Sequence, residues 1–284
     1  MTVEPIQVLG TETHRLHSEC VGVDFEIAII PPPPGVGPTP VVYVTDGDMA
    51  APLAAPLVQM LMMGGEIPPV LTVAIGYPRT GAAMADFAQW GMSRTRDFSP
   101  TVDRRQMAEM DGFFGTTTAA GGAQQFFDFL TRELRPWLSG RFETTDDATY
   151  VGDSMGGLFG TWTLFHHTEA FNRYVLGSPW LCWDEAVSTG WEAEYAAGHS
   201  DLAASVYLAA GAEEHIRGPY AQEWMIATFA RADTAGHTRR LGDALAARAY
   251  PSLRLTTRIL PDETHFSING ALVAQGLRKV FATA

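Results

Sequence analysis

The 284-residue chain is poor in lysine and cysteine. Lys279 is its only lysine, so a Schiff-base mechanism has almost no candidate nucleophile. The other 18 basic residues are arginines, and all 19 stand against 32 acidic residues, giving a formal net charge of −13. A polyanion would be repelled by that balance, which argues against nucleic acid as a partner. Cys20 and Cys182 are the only cysteines, too few for a disulfide framework and without the spacing of a zinc site. No uninterrupted apolar run reaches the roughly 18 residues of a membrane span. Met1 to Gly10 has neither a basic n-region nor an apolar h-region, and the expected compartment is the cytoplasm. Nothing in the pattern asks for a metal or an organic cofactor, and a homo-oligomer is compatible with it.

What the chain does have is 46% hydrophobic residues, enough for a full core. One large α/β domain fits this length, since such domains commonly run to roughly 250 residues. Short β-branched runs alternate with helical stretches. Val21 to Ile30, Val41 to Val44, Val70 to Ile75, Thr149 to Val151, Tyr174 to Leu176, Val206 to Ala209 and Leu253 to Leu260 read as strands. Leu57 to Met63, Ala123 to Leu138, Leu158 to His167, Glu185 to Ala196, Tyr220 to Arg231, Arg239 to Arg248 and Phe266 to Phe281 read as helices. The alternation predicts a mostly parallel sheet covered on both faces, with two antiparallel strands at the N-terminal edge. No linker or repeat divides residues 1–284, so a single domain is expected. From about 77 to 122 no period emerges, and the segment reads as a long loop region over the active site. Within it, Phe113 and Phe114 beside a Gly-Thr-Ala stretch read as the apolar face of a mobile flap hinged on glycine.

The chemistry centres on Gly152-Asp153-Ser154-Met155-Gly156-Gly157, directly after a strand and before a helix. This is the context a nucleophile elbow requires. A sharp turn strains the serine, and the flanking glycines remove Cβ atoms that would collide with the neighbouring elements. The helix that follows aims its free N–H groups at the same place, so the Met155 amide is one expected oxyanion donor. The second is expected at the Asp48 amide, in the loop after Val41 to Val44. A lone histidine is ordinarily a surface or capping residue, but His265 follows the last strand and shares the carboxyl edge with Ser154, which makes it the candidate base. His166 and His167, at the far end of the elbow helix, read as surface residues. A carboxylate between Ser154 and His265 in sequence must orient the imidazole. Glu214, at the end of the strand 206–209, is favoured over Glu213, with Asp184 and Asp262 in reserve and a Ser-His dyad still open. Trp180, Trp183, Trp90, Phe113 and Phe114 fall in segments that border the edge cleft and would supply aromatic walls.

These pieces resemble the putative-esterase branch of the α/β-hydrolases, which includes esterase D-like enzymes and siderophore (enterobactin-type) trilactone esterases. The matching segments are Val42 to Gly47, Arg94 to Thr101 (RTRDFSPT), Phe126 to Leu138 with its Glu-Leu-x-Pro-Trp ending, Gly152 to Gly157, Gly177 to Trp180, Gly211 to Glu214 and His265 to Ser267. The resemblance implies an α/β-hydrolase fold, Ser154 as nucleophile, His265 as base, and an acid that is weak or absent in some members. Cys182 departs from the usual aromatic or small residue. The expected function is therefore a serine carboxylic ester hydrolase working through an acyl-enzyme on a small-molecule or lactone ester. An acyltransferase on the same elbow is the alternative, and a non-catalytic binding protein the more distant one.

Overall fold

The computed structural model describes residue 8 and residues 10–115, 117–215 and 223–282, the side chains of Phe114 and Trp224 excepted. Eight strands form one sheet: β1 (Glu12–Ser18), β2 (Val23–Ile30), β3 (Thr39–Val44), β4 (Leu71–Gly76), β5 (Thr144–Asp153), β6 (Arg173–Gly177), β7 (Ser205–Gly211) and β8 (Arg254–Leu260). Their spatial order is β1-β2-β4-β3-β5-β6-β7-β8. β1 and β2 run antiparallel at one edge, as expected, and β3 to β8 are mutually parallel.

The helices are α1 (Gly47–Met63), α2 (Ala83–Phe98), α3 (Arg104–Phe114), α4 (Ala123–Asp128), α5 (Arg135–Ser139), α6 (Met155–His166), α7 (Trp183–Ala186), α8 (Ser188–Gly198), α9 (Glu223–Ala232), α10 (Thr234–Arg248) and α11 (Ile268–Phe281). None among the described residues is long and apolar enough to cross a membrane. A π-helical turn, Phe129–Leu134, joins α4 to α5, and the Arg135 amide bonds five residues back to Leu130. Pro136 has no N–H to give, so the wider turn falls where the ordinary ladder would already be broken.

Alternation along the strands sends two sets of side chains to two faces. Val42, Val44, Val151, Val175 and Tyr207 pack under α1 and α11, against Val58, Leu61, Leu272 and Leu277. Tyr43, Val73, Tyr150, Tyr174 and Leu208 pack under the other helices, against Phe126, Phe129, Leu158 and Phe159. Each fully buried aliphatic or phenyl side chain contributes about 1.5–3 kcal/mol, so both layers are needed to hold the sheet. The chain leaves β3 through α1 on one face and β5 through α6 on the other. Neighbouring strands that diverge this way open a crevice at their carboxyl ends, where ligands of such sheets bind.

Three helices differ from the sequence reading. The region 77–122 is no open loop: α2 and α3 occupy most of it and line the cavity described below. Its period was hidden because α2 buries Gly91, Ser93, Thr95 and Asp97 beside Phe98, instead of an aliphatic stripe. The Asp97 charge is met by Arg96 at 2.6 Å and by the Tyr77 hydroxyl at 3.0 Å. The Gly-Thr-Ala stretch is likewise fastened: Thr118 N–H bonds to Asp111, Gly121 N–H to Ser99 and Gly122 N–H to the Arg96 carbonyl, while Thr116 lies outside the described residues. Helix α1 starts ten residues before the expected Leu57, because Pro52 and Pro56 inside it mask the helical signal.

Candidate active site

Ser154 sits between the end of β5 and the start of α6 with φ 58° and ψ −118°. A non-glycine residue there costs about 1–3 kcal/mol unless its surroundings impose it. Here they do. Ser154 N–H bonds to the Gly177 carbonyl at 2.9 Å, and its own carbonyl accepts from Leu158 at 3.0 Å and Trp180 at 2.9 Å. A Cβ on Gly152 would lie 2.6 Å from the Gly156 backbone, and one on Gly157 2.7 Å from Pro179 Cα, so strand, helix and the loop after β6 close on each other only through glycine. The Ser154 hydroxyl has no hydrogen-bond partner among the described residues and faces a cavity of about 500 Å³.

His265 borders the same cavity and is buried. It follows β8 across the turn Pro261 to Thr264, and its Nδ1 is 2.6 Å from Glu214 Oε2. What brings the two loops together is Gly211 at the end of β7: its Cα lies so close to Glu263 that a Cβ would meet that carbonyl oxygen at 2.2 Å. Glu213 N–H then bonds to the same carbonyl at 2.9 Å, fixing the next residue, Glu214, inward. Of the four candidate carboxylates only Glu214 reaches the imidazole. Asp262 is exposed, Glu213 is half-buried on the solvent side, and Asp184 belongs to a left-handed turn whose amide is held by Asp103 at 2.8 Å.

The second oxygen of Glu214 accepts from Ser178 Oγ and from the Gly211 N–H at 2.9 Å. Burial alone would raise this carboxyl, but the His265 bond and charge, followed by the two other donors, hold it below the usual glutamate range. Ser178 has φ 36° and was named in the sequence only as part of a matching segment, with no role. Its signal was too local to see, since the bond spans 36 residues.

Met155, the first residue of α6, is among the residues lining the cavity, and Asp48 is not. The chain turns at Asp46, φ 56°, straight into α1, and the Asp48 nitrogen lies close to Gly76, where a Cβ would meet it at 2.4 Å. Thr45, Asp46 and Met49 face the cavity from this loop instead.

A group that sequence reasoning missed lies between the two loops. Arg94 of α2 donates to both oxygens of Asp46, at 2.8 and 2.9 Å, and to the Asp153 carbonyl at 3.3 Å. Trp90 Nε1 adds a bond to Asp46 at 2.9 Å, and its ring lies 4.7 Å from the guanidinium. Asp153, the residue before the serine, is half-buried, with one enclosed carboxyl oxygen unpartnered and the other 3.4 Å from Asn269 Nδ2. Burial pushes it up to about 7. Asp48 is also pushed up to about 7, by burial first and then by the Asp46 charge.

Trp180, Trp183, Trp90 and Phe113 all line the cavity, as expected from sequence; the Phe114 side chain lies outside the described residues. Trp180 donates to Gln106 at 2.6 Å and meets His265 edge-on at 5.5 Å. Phe229 packs against both, 4.6 Å from the imidazole and 5.4 Å from the Trp180 ring.

Curated relatives align with the chain, two of them as follows. It is 27% identical over 194 residues to the ferri-bacillibactin esterase BesA of Bacillus subtilis, covering 65% of this chain and 63% of that protein. It is 28% identical over 264 residues to the siderophore triacetylfusarinine C esterase of Aspergillus fumigatus, covering 87% and 83%. Among solved structures, the siderophore hydrolase EstA of Aspergillus nidulans superposes with TM-score 0.81 at 20% identity, covering 98% of this chain and 97% of that one, which shows a shared fold. A family model described as Putative esterase matches residues 18–249, from the end of β1 through the elbow and Glu214 to the residue after α10. The chain thus belongs to the Putative esterase family of α/β-hydrolases.

Proposed function

We propose that this protein is a serine esterase that hydrolyses siderophore-type esters through an acyl-enzyme, with Ser154, His265 and Glu214 as its catalytic triad. Ser154 Oγ attacks the ester carbonyl while His265 Nε2 takes the hydroxyl proton. Glu214 holds Nδ1–H and compensates the imidazolium charge. The carbonyl oxygen, now negative, faces the N-terminus of α6 and the Met155 N–H. Collapse breaks the ester C–O bond, the alcohol leaves with the proton from His265, and the acyl group stays on Ser154. Water then attacks the acyl carbon, gives its proton to His265, and the carboxylic acid leaves as the proton returns to Ser154.

The observation that carries this reading is the buried His265–Glu214 contact opening onto the cavity that the strained Ser154 faces. The names of the relatives support the siderophore-type substrate. Two unpaired cysteines fit a reducing compartment, and we place the protein in the cytoplasm as one α/β-hydrolase domain. The test is labelling by a fluorophosphonate followed by peptide mass analysis, together with kinetics of Ser154→Ala and His265→Ala on p-nitrophenyl butyrate. The expected results are a single adduct on Ser154 and rates reduced by about 10³-fold or more in each variant. Near-native turnover by either variant overturns the assignment.

A further inference from the structure

Among the described residues the cavity is short of usable positive charge. Among the described residues Arg94 is the one arginine or lysine on its wall, and its guanidinium is bound on two nitrogens by the Asp46 carboxylate. Asp153 and Glu109 also border the space. Glu109 is answered at the rim by Arg231, at 2.8 Å, so that arginine too is paired. His265 is engaged by Glu214. Beyond these groups the wall carries neutral polar side chains, Thr45, Thr95, Gln106, Thr228 and Asn269, set among apolar ones, with Trp90, Met110, Trp183 and Phe229 inside, and the mouth carries the exposed side chains of Met49, Leu53, Phe87, Phe113 and Phe266. An anion entering would leave water for largely apolar walls, find Arg94 already neutralised by Asp46, and face the Asp153 carboxyl, to which no cation of the described residues is bonded. The formal net charge of −13 adds repulsion during approach.

Building on the esterase reading, we infer that the site selects an ester with no net negative charge and with apolar bulk around the scissile bond. The chemistry of iron chelates makes this a sharp choice. Three catecholates bring six negative charges to Fe³⁺ and leave the complex at 3−; three hydroxamates bring three and leave it neutral. The neutral ferric trihydroxamate ester is the chelate this cavity takes, and the ferric tricatecholate lactone is the one it turns away.

Two matched pairs test this on the full chain. The first is p-nitrophenyl butyrate against mono-p-nitrophenyl succinate, nearly equal in size but different by one charge on the acyl group. The second is a ferric cyclic trihydroxamate ester against a ferric cyclic tricatecholate lactone. In each pair kcat/KM should favour the neutral member, by about 100-fold for the chelates at low salt, because like charges brought together in a confined site oppose binding. Raising salt from about 20 to about 300 mM should narrow the gap through the anionic member alone. Thr228→Lys, which adds a cation at the wall, should raise the anionic-to-neutral ratio about tenfold. Equal or faster turnover of the anionic members, or an unchanged ratio in Thr228→Lys, overturns the inference. Ser154→Ala is run beside them on p-nitrophenyl butyrate. Activity retained there counts against the esterase assignment, whereas equal rates within the pairs with full dependence on Ser154 count against the charge selection alone.

Discussion

Replacing Glu214 by glutamine alters the site by one oxygen and one charge, and the hydrogen bonds around it set the size of the effect. The native carboxylate accepts from His265 Nδ1 on one oxygen, and from Ser178 Oγ and the Gly211 N–H on the other. An amide has a single acceptor oxygen. If that oxygen keeps Gly211, the NH₂ group faces Nδ1, which must then accept; the imidazole proton moves to Nε2, and the nitrogen facing the nucleophile can no longer take a proton. If the oxygen turns to His265, two N–H donors oppose each other at Gly211 in a buried space. Either way the imidazolium formed during attack loses its charged partner. Removing one member of a buried charge-assisted pair costs about 3–5 kcal/mol. At about 1.4 kcal/mol per decade, kcat should fall by about two to three and a half decades, with KM changed little. The assay is initial-rate kinetics on p-nitrophenyl butyrate, with thermal unfolding to verify that the variant is folded. Glu213→Gln and Asp262→Asn, on the solvent side, should stay within about twofold of wild type. A Glu214→Gln enzyme within about threefold of wild type would refute this account and leave Ser154 and His265 acting as a dyad.

Three further outcomes follow from the packing. Asp153→Asn should stabilise the protein near neutrality: its native carboxyl is held up to about 7 from 3.8, so the charge penalty is absent below about pH 4, grows through about pH 7 and is complete above it. The melting temperature of the variant should exceed that of wild type at about pH 8, by the equivalent of about 4 kcal/mol at most, and match it near pH 4. Arg94→Met strands the buried Asp46 carboxylate and should lower stability by about 3–5 kcal/mol in urea titrations, with part of the loss restored by adding Asp46→Asn. Gly157→Ala forces a methyl to 2.7 Å from Pro179 Cα and 2.8 Å from the Gly177 carbonyl, and should cost about 1–3 kcal/mol with a loss of fluorophosphonate labelling as the elbow opens.

The strands and the elbow were legible because their signals are local. β-branched runs ending at glycine identify parallel strands, and three glycines around Ser154 identify a turn that no other residue fits. His265 and Glu214 followed from their order along a sheet edge, a matter of topology. The setting of Asp48 was not legible, because it depends on one left-handed residue, Asp46, and on the close approach of Gly76. Helix α2 escaped notice since its buried side carries Gly91, Ser93, Thr95 and Asp97, and a polar stripe looks like a loop in sequence. Arg94 could be quoted as part of a motif but not given work, because its partner Asp46 lies 48 residues upstream.

Arg94 also bears on how this scaffold can be changed. It hangs from α2, outside the sheet, yet ties the loop after β3 to the residue before Ser154. A designer wishing to remodel the wall meets a division here. Helix α3 contributes Gln106, Glu109, Met110 and Phe113 to the cavity, and Gln106 reaches the elbow side through Trp180. It is the exchangeable panel. Helix α2 is a bracket: sliding it by one residue would withdraw Trp90 and Arg94 together from Asp46 and loosen the crevice in which the serine stands. Chimeras that trade substrate range should therefore be cut after Phe98, keeping the bracket and swapping the panel.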